Sequence, residues 1–239
     1  MTSSSQPLKN RVALVTGASR GIGRAAAIAL GKAGAHVVAV ARTVGGLEEV
    51  DDEIKKSGGA ATLVPLDLKD GEGIDRMGAA LFERFGKLDA LLGSAGVLGQ
   101  VTPLAHMPPA IWDELMAVNV TANWRLIRSL DPLLRQSDAG RALFVSSGVA
   151  HTHLPFFGGY AVSKAALESM VLTYAEECKG TNVKVNLFNP GPTRTRMRAT
   201  GFPGEDPQSL PLPEAHVSTI LELLSPACTK HGELISARR

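Results

Sequence analysis

The sequence GGYAVSKAAL, residues 158–167, places Tyr160 four residues before Lys164, where a helix should begin. Residues four apart lie one above the other on a helix, so a phenol and an ammonium would share a small volume. A fixed positive charge favours the phenolate and lowers the pKa of a tyrosine from about 10 toward the range in which it exchanges protons. The spacing therefore indicates a general acid and base, and an ordinary surface pair is the alternative.

A glycine-rich turn, TGASRGIGRAAA, follows the first apolar segment of the chain. Gly17, Gly21 and Gly23 would turn the chain sharply, let a pyrophosphate approach the backbone, and open a helix whose N-terminus attracts anions. Their GxxxGxG spacing differs from the GxGxxG dinucleotide fingerprint, and a simple chain reversal is the alternative. The position of the turn between a strand and a helix favours nucleotide binding.

The choice of nucleotide depends on the end of the second apolar segment, which reads AVART. No carboxylate stands there to bond the ribose 2′-hydroxyl of NAD. Arg42 ends this segment and Arg20 lies inside the glycine turn, so two guanidiniums could hold a 2′-phosphate with bidentate bonds. The sequence predicts NADP(H) as the cofactor, with two solvated arginines as the alternative.

Short apolar segments alternate with longer amphipathic ones along the chain, which predicts strands and helices in turn. The predicted strands are 11–17, 35–41, 61–67, 88–96, 141–147 and 183–191, and the predicted helices are about 22–32, 47–56, 74–85, 109–134 and a helix after Gly159. This order predicts a parallel sheet with helices on both faces, because parallel neighbours need crossover connections. The expected architecture is a three-layered, doubly wound α/β fold of the Rossmann type, in which ligands bind beyond the carboxyl ends of the strands.

The composition fits one globular domain, expected over residues 11–239 after a flexible segment 1–10, because 44% of the 239 residues are hydrophobic. No apolar run reaches the length of a bilayer-spanning helix, and the first ten residues lack the pattern of a secretory signal. A cytoplasmic protein without a membrane partner is therefore expected. A net charge of +2 without a basic block argues against nucleic acid as a partner.

Metal binding and disulfide formation are not expected from the cysteine and histidine positions. Cys178 and Cys228 have no CxxC spacing and are interpreted as free thiols. His151 and His153 form an HxH pair, but no acidic or thiol ligand lies nearby in the sequence to complete a zinc site. The two histidines are interpreted as part of a loop near the substrate.

Seven short motifs occur in order along the chain: TGASRGIG, LDL at 66–68, GSAG at 93–96, VNV at 118–120, VSS at 145–147, YAVSK and NPGPTRT. Together they resemble the short-chain dehydrogenase/reductase family over about residues 11–197. The resemblance implies a catalytic tetrad of Asn119, Ser147, Tyr160 and Lys164, and it implies that Asp67 lies near the adenine and Thr195 near the nicotinamide carboxamide. The predicted cofactor-binding residues are Gly17, Ser19, Arg20, Gly21, Ile22, Gly23, Arg42, Asp67, Leu68, Ser94, Ala95, Gly96, Tyr160, Lys164, Pro190, Gly191, Thr193 and Thr195.

The resemblance also implies a role for each member of the tetrad. Ser147 would hold the substrate oxygen while Tyr160 transfers the proton. The residues alone leave open which of Ser146 and Ser147 points inward, and the family spacing favours Ser147. Lys164 would bond the nicotinamide ribose and lower the tyrosine pKa, and Asn119 would hold a water that links the lysine to solvent. A satisfied core amide is the alternative for Asn119.

The implied function is that of an NADP-dependent carbonyl reductase or alcohol dehydrogenase, which moves a hydride between nicotinamide and a small carbonyl or alcohol substrate. A nucleotide-sensing protein that acts through partners is the alternative, and an epimerase or dehydratase on the same fold is another. The intact tetrad favours the oxidoreductase. Residues from about 196 to 213 should set substrate choice, and the proline- and glycine-rich part, 201–213, is expected to be a mobile surface loop.

Two departures from the family pattern and one helix bear on assembly. Ser94 stands where the family usually has an asparagine, and the sequence ends in GELISARR without the glycine pair that commonly follows the family's last strand. The helix 161–177 carries only Glu168 as a charge between Lys164 and Glu176, which indicates burial on two sides. A homodimer or homotetramer is expected, and the short C-terminus favours the dimer.

Overall fold

The sheet at the centre of the molecule has seven parallel strands in the order β3-β2-β1-β4-β5-β6-β7. The computed structural model describes residues 6–237. Its strands are β1 Val12–Thr16, β2 His36–Ala41, β3 Ala60–Pro65, β4 Ala90–Gly93, β5 Arg141–Val145, β6 Lys184–Asn189 and β7 Leu234–Ser236. The order reverses between β1 and β4, and such a reversal opens a crevice for ligands at the carboxyl ends of the strands. The predicted doubly wound fold is confirmed.

Nine helices in the described residues connect the strands. They are α1 Gly21–Lys32, α2 Val44–Lys56, α3 Gly71–Phe85, α4 Pro109–Met116, α5 Ala122–Gln136, α6 Val149–Thr152, α7 Gly158–Glu177, α8 Arg196–Gly201 and α9 Val217–Leu224. Apolar residues of α3, α5 and α7 pack in one core, and those of α1, α2 and α9 pack in a second core. The helices therefore cover both faces of the sheet, which gives three layers.

The two cores follow from the alternation of side chains along each strand. Leu14 and Val38 belong to the first core, whereas their neighbours Val15 and Val37 belong to the second, and all four are 0% exposed. Successive residues of a strand point to opposite faces, so a strand buried on both faces needs an uninterrupted apolar sequence. This requirement explains why the strands could be recognised as short apolar segments.

The long helix predicted over 109–134 is interrupted in the structure. Five residues, Ala117–Thr121, form a π-helical segment between α4 and α5. An extra residue in a helical turn shifts the hydrogen-bond pattern, and such segments occur frequently at functional sites. Asn119 lies at the middle of the segment, next to α7 and the loop after β4.

Two short segments differ from their predicted description. β7 is absent from the predicted strands because only three residues pair with β6, and their side chains are partly or fully exposed, so they show no buried apolar pattern. Residues 6–10 belong to the segment expected to be flexible, but they form a turn whose Leu8 is 2% exposed. The Leu8 N–H donates to the Ala33 oxygen at 3.0 Å, which attaches this turn to the end of α1. Residues 1–5 lie outside the described part of the chain.

Residues 6–237 contain neither a membrane-spanning helix nor a cluster of metal ligands. No helix there combines the length and the apolar character that a membrane crossing requires. No group of three or more His, Cys, Asp or Glu side chains there could hold a metal ion. Cys178 and Cys228 are both buried and unbonded to one another.

Candidate active site

A cleft of about 2070 Å³ opens at the carboxyl ends of the strands. Every residue predicted to bind the cofactor lines this cleft, and so does Ser147. Asn119 is the one member of the predicted tetrad that does not line it. The fold therefore brings together residues from the ends of β1, β2, β3, β4, β5 and β6 with two residues of α7.

The glycine turn after β1 has the shape of a cradle for an anion. Gly17 has a φ of +66°, and a Cβ at this position would lie 2.9 Å from the Ala95 Cα. A Cβ at Gly23 would collide with the Gly17 oxygen. The N-terminus of α1 has no side-chain cap, so its first N–H groups remain available to an anion. The turn fits the pyrophosphate of a dinucleotide.

The loop after β4 is held against the end of β1, directly before this turn, by hydrogen bonds from its backbone N–H groups to a side-chain hydroxyl. The N–H groups of Ser94 and Ala95 donate to the Thr16 hydroxyl at 3.1 and 3.2 Å. Thr16 is 0% exposed, so these bonds are protected from water. The loop is thus braced although Ser94 replaces the family's usual asparagine.

The two arginines that predict NADP both lie in the cleft. Arg20 and Arg42 are exposed and line the cleft, and neither forms an ion pair with another residue of 6–237. No carboxylate stands at the end of β2. Asp67 lines the cleft after β3, and its side chain accepts a hydrogen bond from the Lys69 N–H at 3.0 Å.

Tyr160 and Lys164 lie on the first half of α7 and face the cleft together. The Lys164 Nζ is 5.8 Å from the centre of the Tyr160 ring and donates to the Val145 oxygen at 2.8 Å. The Ser147 side chain lies close enough to the Tyr160 hydroxyl to favour a lower pKa of the phenol. The Tyr160 hydroxyl is also 3.9 Å from the Met197 sulfur, which places the start of α8 over the phenol.

The structure distinguishes the two adjacent serines. Ser146 is 2% exposed, and its hydroxyl donates to the Glu168 Oε1 atom below the cleft. Both serines line the cleft, but only Ser147 lies beside the Tyr160 hydroxyl. The catalytic role of Ser147, which the family spacing favours, stays a prediction.

Burial dominates the electrostatics of the tyrosine and the lysine. Desolvation raises the pKa of Tyr160 to about 12, and the Ser147 hydrogen bond acts in the opposite direction. Desolvation lowers the pKa of Lys164 to about 8, and the Glu168 carboxylate acts against this shift. The sequence-based expectation of a lowered tyrosine pKa differs from this result, because each group loses its hydration and the neutral form of each is favoured.

The Asn119 side chain is fully buried and does not line the cleft, and it connects two segments of the fold by hydrogen bonds. Its Nδ2 group donates to the Val97 oxygen and to the Ser163 hydroxyl, both at 2.9 Å, and its Oδ1 accepts from the Val97 N–H at 2.9 Å. These three bonds use both of its donors and one of its acceptor positions. The side chain therefore matches the alternative of a satisfied core amide, and it ties the loop after β4 to α7.

Part of the cleft lining is an apolar cluster. Leu98, Leu154, Phe157 and Phe202 belong to it, and the rings of Phe157 and Phe202 stack with their centres 5.1 Å apart. The Arg198 guanidinium lies 3.5 Å from the centre of the Phe202 ring. Arg198 Nε also pairs with Glu205 at 2.6 Å, which anchors the segment expected to be a mobile loop.

Four residues of the site received no functional role in the sequence-based prediction: Ser146, which was only the alternative to Ser147, His151, which was only placed in a loop near the substrate, and Glu168 and Met197. Glu168 had a usable signal, because it follows Lys164 by four residues and so continues the face of α7 that begins with Tyr160. From the sequence, Glu168 was interpreted only as a charge on an otherwise apolar helix. The contacts of the other three residues depend on the tertiary fold.

The fold and the glycine cradle define a doubly wound dinucleotide-binding protein. A sequence model of the family described as short chain dehydrogenase matches residues 11–206. The chain belongs to the short-chain dehydrogenase family of oxidoreductases.

Three relatives illustrate the similarity. The oxidoreductase YciK of Escherichia coli K12, which is described as uncharacterised, is 39% identical over 209 residues, covering 86% of this chain and 82% of YciK. A short chain dehydrogenase from Shigella flexneri 2a, solved in complex with NADP, is 37% identical with a TM-score of 0.93 and coverage of 98% of this chain and 99% of that chain. A short chain dehydrogenase from Escherichia coli CFT073, solved in complex with NADPH, is 37% identical with a TM-score of 0.90 and the same coverage of 98% and 99%.

Proposed function

We propose that the protein is an NADP(H)-dependent oxidoreductase that interconverts a small carbonyl compound and its alcohol, with Tyr160 as the general acid and base. The observation that carries this proposal is the grouping of Tyr160, Ser147 and Lys164 in the cleft that the glycine cradle also lines. A nucleotide sensor would have no need for a phenol held beside a serine and a buried lysine.

The chemistry divides between the cofactor and the protein. When bound, the cofactor supplies or accepts the hydride at the substrate carbon. In the reduction direction the Ser147 hydroxyl holds the substrate oxygen, and the Tyr160 hydroxyl donates its proton to that oxygen. A pKa of about 12 keeps Tyr160 protonated at neutral pH, so it is ready to act as an acid.

Lys164 supports the proton transfer through its charge. Loss of the proton leaves a phenolate on Tyr160 in a buried site, where an unbalanced negative charge is unfavourable. The Lys164 ammonium, 5.8 Å from the ring centre, stabilises that phenolate. Because the pKa of Lys164 is about 8, the lysine provides this charge only below that pH.

The assignment of NADP(H) rests on Arg20 and Arg42. Both guanidiniums are exposed in the cleft, one in the glycine turn and one after β2, and two such donors would suit the bidentate bonding of a 2′-phosphate. The two solved relatives in complex with NADP and NADPH support the same assignment.

The apolar cluster in the cleft favours substrates with a hydrophobic group beside the carbonyl. Phe157 and Phe202 would form one wall of this subsite, and Met197 would lie directly against the reacting oxygen. Burial of apolar surface contributes about 25 cal/mol per Å², so such a group would supply much of the binding free energy.

The test is turnover by the variant Tyr160→Phe on a panel of aldehydes and ketones, followed by NADPH oxidation. This substitution removes one oxygen and keeps the aromatic packing, so the melting temperature and NADPH affinity should stay close to those of the unmodified protein. Turnover should fall by at least about 10²- to 10⁴-fold, which is the usual contribution of general acid catalysis. If Tyr160→Phe retains most of the rate on an accepted substrate, the proposed mechanism is wrong.

A further inference from the structure

Glu168 is a buried carboxylate that the mechanism above does not use. It lies on α7 one turn after Lys164, and it is 5% exposed. Its Oε1 accepts from the Ser146 hydroxyl, and its Oε2 is 2.7 Å from the His151 Nε2. A buried carboxylate is costly unless it is paired and hydrogen-bonded, so its retention so close to the reacting groups calls for an explanation.

The hydrogen bond from Ser146 to Glu168 fixes the position of the residues that follow β5. The Val145 oxygen is the acceptor of the Lys164 ammonium at 2.8 Å, and Ser146 and Ser147 follow it directly. Side chains of successive residues in an extended segment point to opposite sides. Because the Ser146 side chain points toward Glu168, the Ser147 side chain points the other way, toward Tyr160.

Glu168 also contributes charge to the site. Its carboxylate favours the protonated form of Lys164 and so works against the desolvation that lowers the pKa of this lysine. Lys164 on its own helix and His151 from α6 are the titratable groups that face it, and β5 presents only the Ser146 hydroxyl. Within residues 6–237, His151 is the only basic side chain within 4.0 Å of the Glu168 carboxylate.

His151 closes Glu168 off from solvent. Its side chain is 59% exposed, whereas that of Glu168 is 7% exposed. The imidazole therefore lies between the buried carboxylate and water, and its bond fixes the rotamer that reaches Ser146 and Lys164. The neighbouring His153 is exposed, and no hydrogen bond or ion pair of its side chain is found in the described residues.

We propose that Glu168 and His151 form a positioning pair for the reaction at Tyr160: Glu168 holds the end of β5 through Ser146 and places its carboxylate one helical turn from Lys164, and His151 holds Glu168 in place. Neither residue touches the reacting atoms. The proposal rests on the proposed function, and it extends that function to a surface histidine that the catalytic tetrad does not include.

The first test is the variant Glu168→Gln, studied from pH 6 to pH 10. The amide keeps the size of the side chain and an acceptor for Ser146, but it removes the charge. We expect the alkaline limb of kcat, near pH 8 in the unmodified protein, to move to lower pH by about one unit. Turnover at pH 8 should then fall about fivefold, whereas kcat and NADPH affinity at pH 6.5, where Lys164 stays charged, should remain within about twofold.

The second test uses the exposed end of the pair and does not disturb the buried packing. His151→Ala should move the alkaline limb in the same direction, because Glu168 can then rotate toward water. His151→Gln should restore the limb, since an amide can donate to the carboxylate. His153→Asn is the matched control, because asparagine tolerates the left-handed φ of 49° at this position, and it should leave the profile unchanged.

A readout besides turnover is the pH dependence of NADPH binding, followed by fluorescence. The loss of affinity that accompanies deprotonation of Lys164 should begin at lower pH in Glu168→Gln and in His151→Ala. The proposal is wrong if folded His151→Ala has the same pH dependence of turnover and of NADPH binding as the unmodified protein. This holds even if Glu168→Gln fails to fold. Activity that survives Tyr160→Phe overturns the proposed function instead, so the two failures can be told apart.

Discussion

Among single residues, Lys164 has the pKa that should limit the pH range of activity. Reduction needs Tyr160 protonated, which holds up to its pKa of about 12, and Lys164 charged, which holds below its pKa of about 8. Since the lysine loses its charge first as the pH rises, kcat for carbonyl reduction should fall about tenfold per pH unit above pH 8. Turnover measured from pH 6 to pH 10 at constant ionic strength checks this, and a constant rate up to pH 10 would contradict it.

Arg42 should carry most of the preference for NADP(H) over NAD(H). A charge-assisted hydrogen bond contributes about 1.5 to 3 kcal/mol, or roughly ten- to hundredfold in affinity. Arg42→Asp should reverse the preference, because the carboxylate repels the phosphate and can accept from a ribose hydroxyl. Lys179→Asp makes the same change in charge outside the cleft and is the control. Titration of each protein with both cofactors decides the matter, and equal affinities for the unmodified protein would refute the assignment.

At the scale of elements, the turn from β1 into α1 depends on the missing side chain of Gly17. Gly17→Ala adds a Cβ 2.9 Å from the Ala95 Cα at a φ of +66°, so the cradle must distort. Backbone strain of this kind costs about 1–3 kcal/mol. We therefore expect a lower melting temperature, and a distorted cradle should bind NADPH at least about tenfold more weakly. Thermal melts and fluorescence titrations measure both effects.

The matched control for this turn is Gly58→Ala. Gly58 has a φ of +81°, but an added Cβ would meet no atom within 4 Å. The Gly58→Ala variant therefore has the backbone strain of a left-handed alanine, about 1–2 kcal/mol, but its Cβ collides with no other atom. It should lower the melting temperature and leave NADPH affinity unchanged. Equal affinities for the two variants would mean that the close approach at Gly17 has no role in binding.

Helix α7 combines two functions on different faces. Tyr160, Lys164 and Glu168 follow one another at intervals of four residues on the face toward the cleft and β5. Val162 and Leu172 lie on the same helix and are 41% and 37% exposed. The helix is therefore apolar both where it covers the sheet and where it meets solvent, which explains why its sequence indicates burial on two sides.

At the scale of the whole molecule, we expect self-association through the outer face of α7. Exposed apolar residues on a helix that carries the site are normally covered by a partner. Light scattering at micromolar concentration should give the mass of two or four chains. Leu172→Glu should shift the mass toward one chain, whereas Phe82→Glu, at a 54% exposed position on α3, should not. A single chain in the unmodified protein would rule the prediction out.

The sequence by itself determined the features that are local in the chain. The strands were recognisable because burial on both faces demands uninterrupted apolar segments, and the glycine turn because its spacing follows the first of them directly. Tyr160 and Lys164 were recognisable because a helix places residues four apart together. The family motifs added Ser147 to the predicted site, and its catalytic role stays a prediction.

Tertiary structure alone decided the features that join distant segments. The bonds of Asn119 to Val97 and Ser163, and the contact of Glu168 with Ser146 and His151, each connect separate elements of the fold. The pKa shifts of Tyr160 and Lys164 have the same origin, because they depend on how much water the surrounding elements exclude. Periodicity reports only which face of an element is buried, and it carries no information about which residue of another element lies against that face.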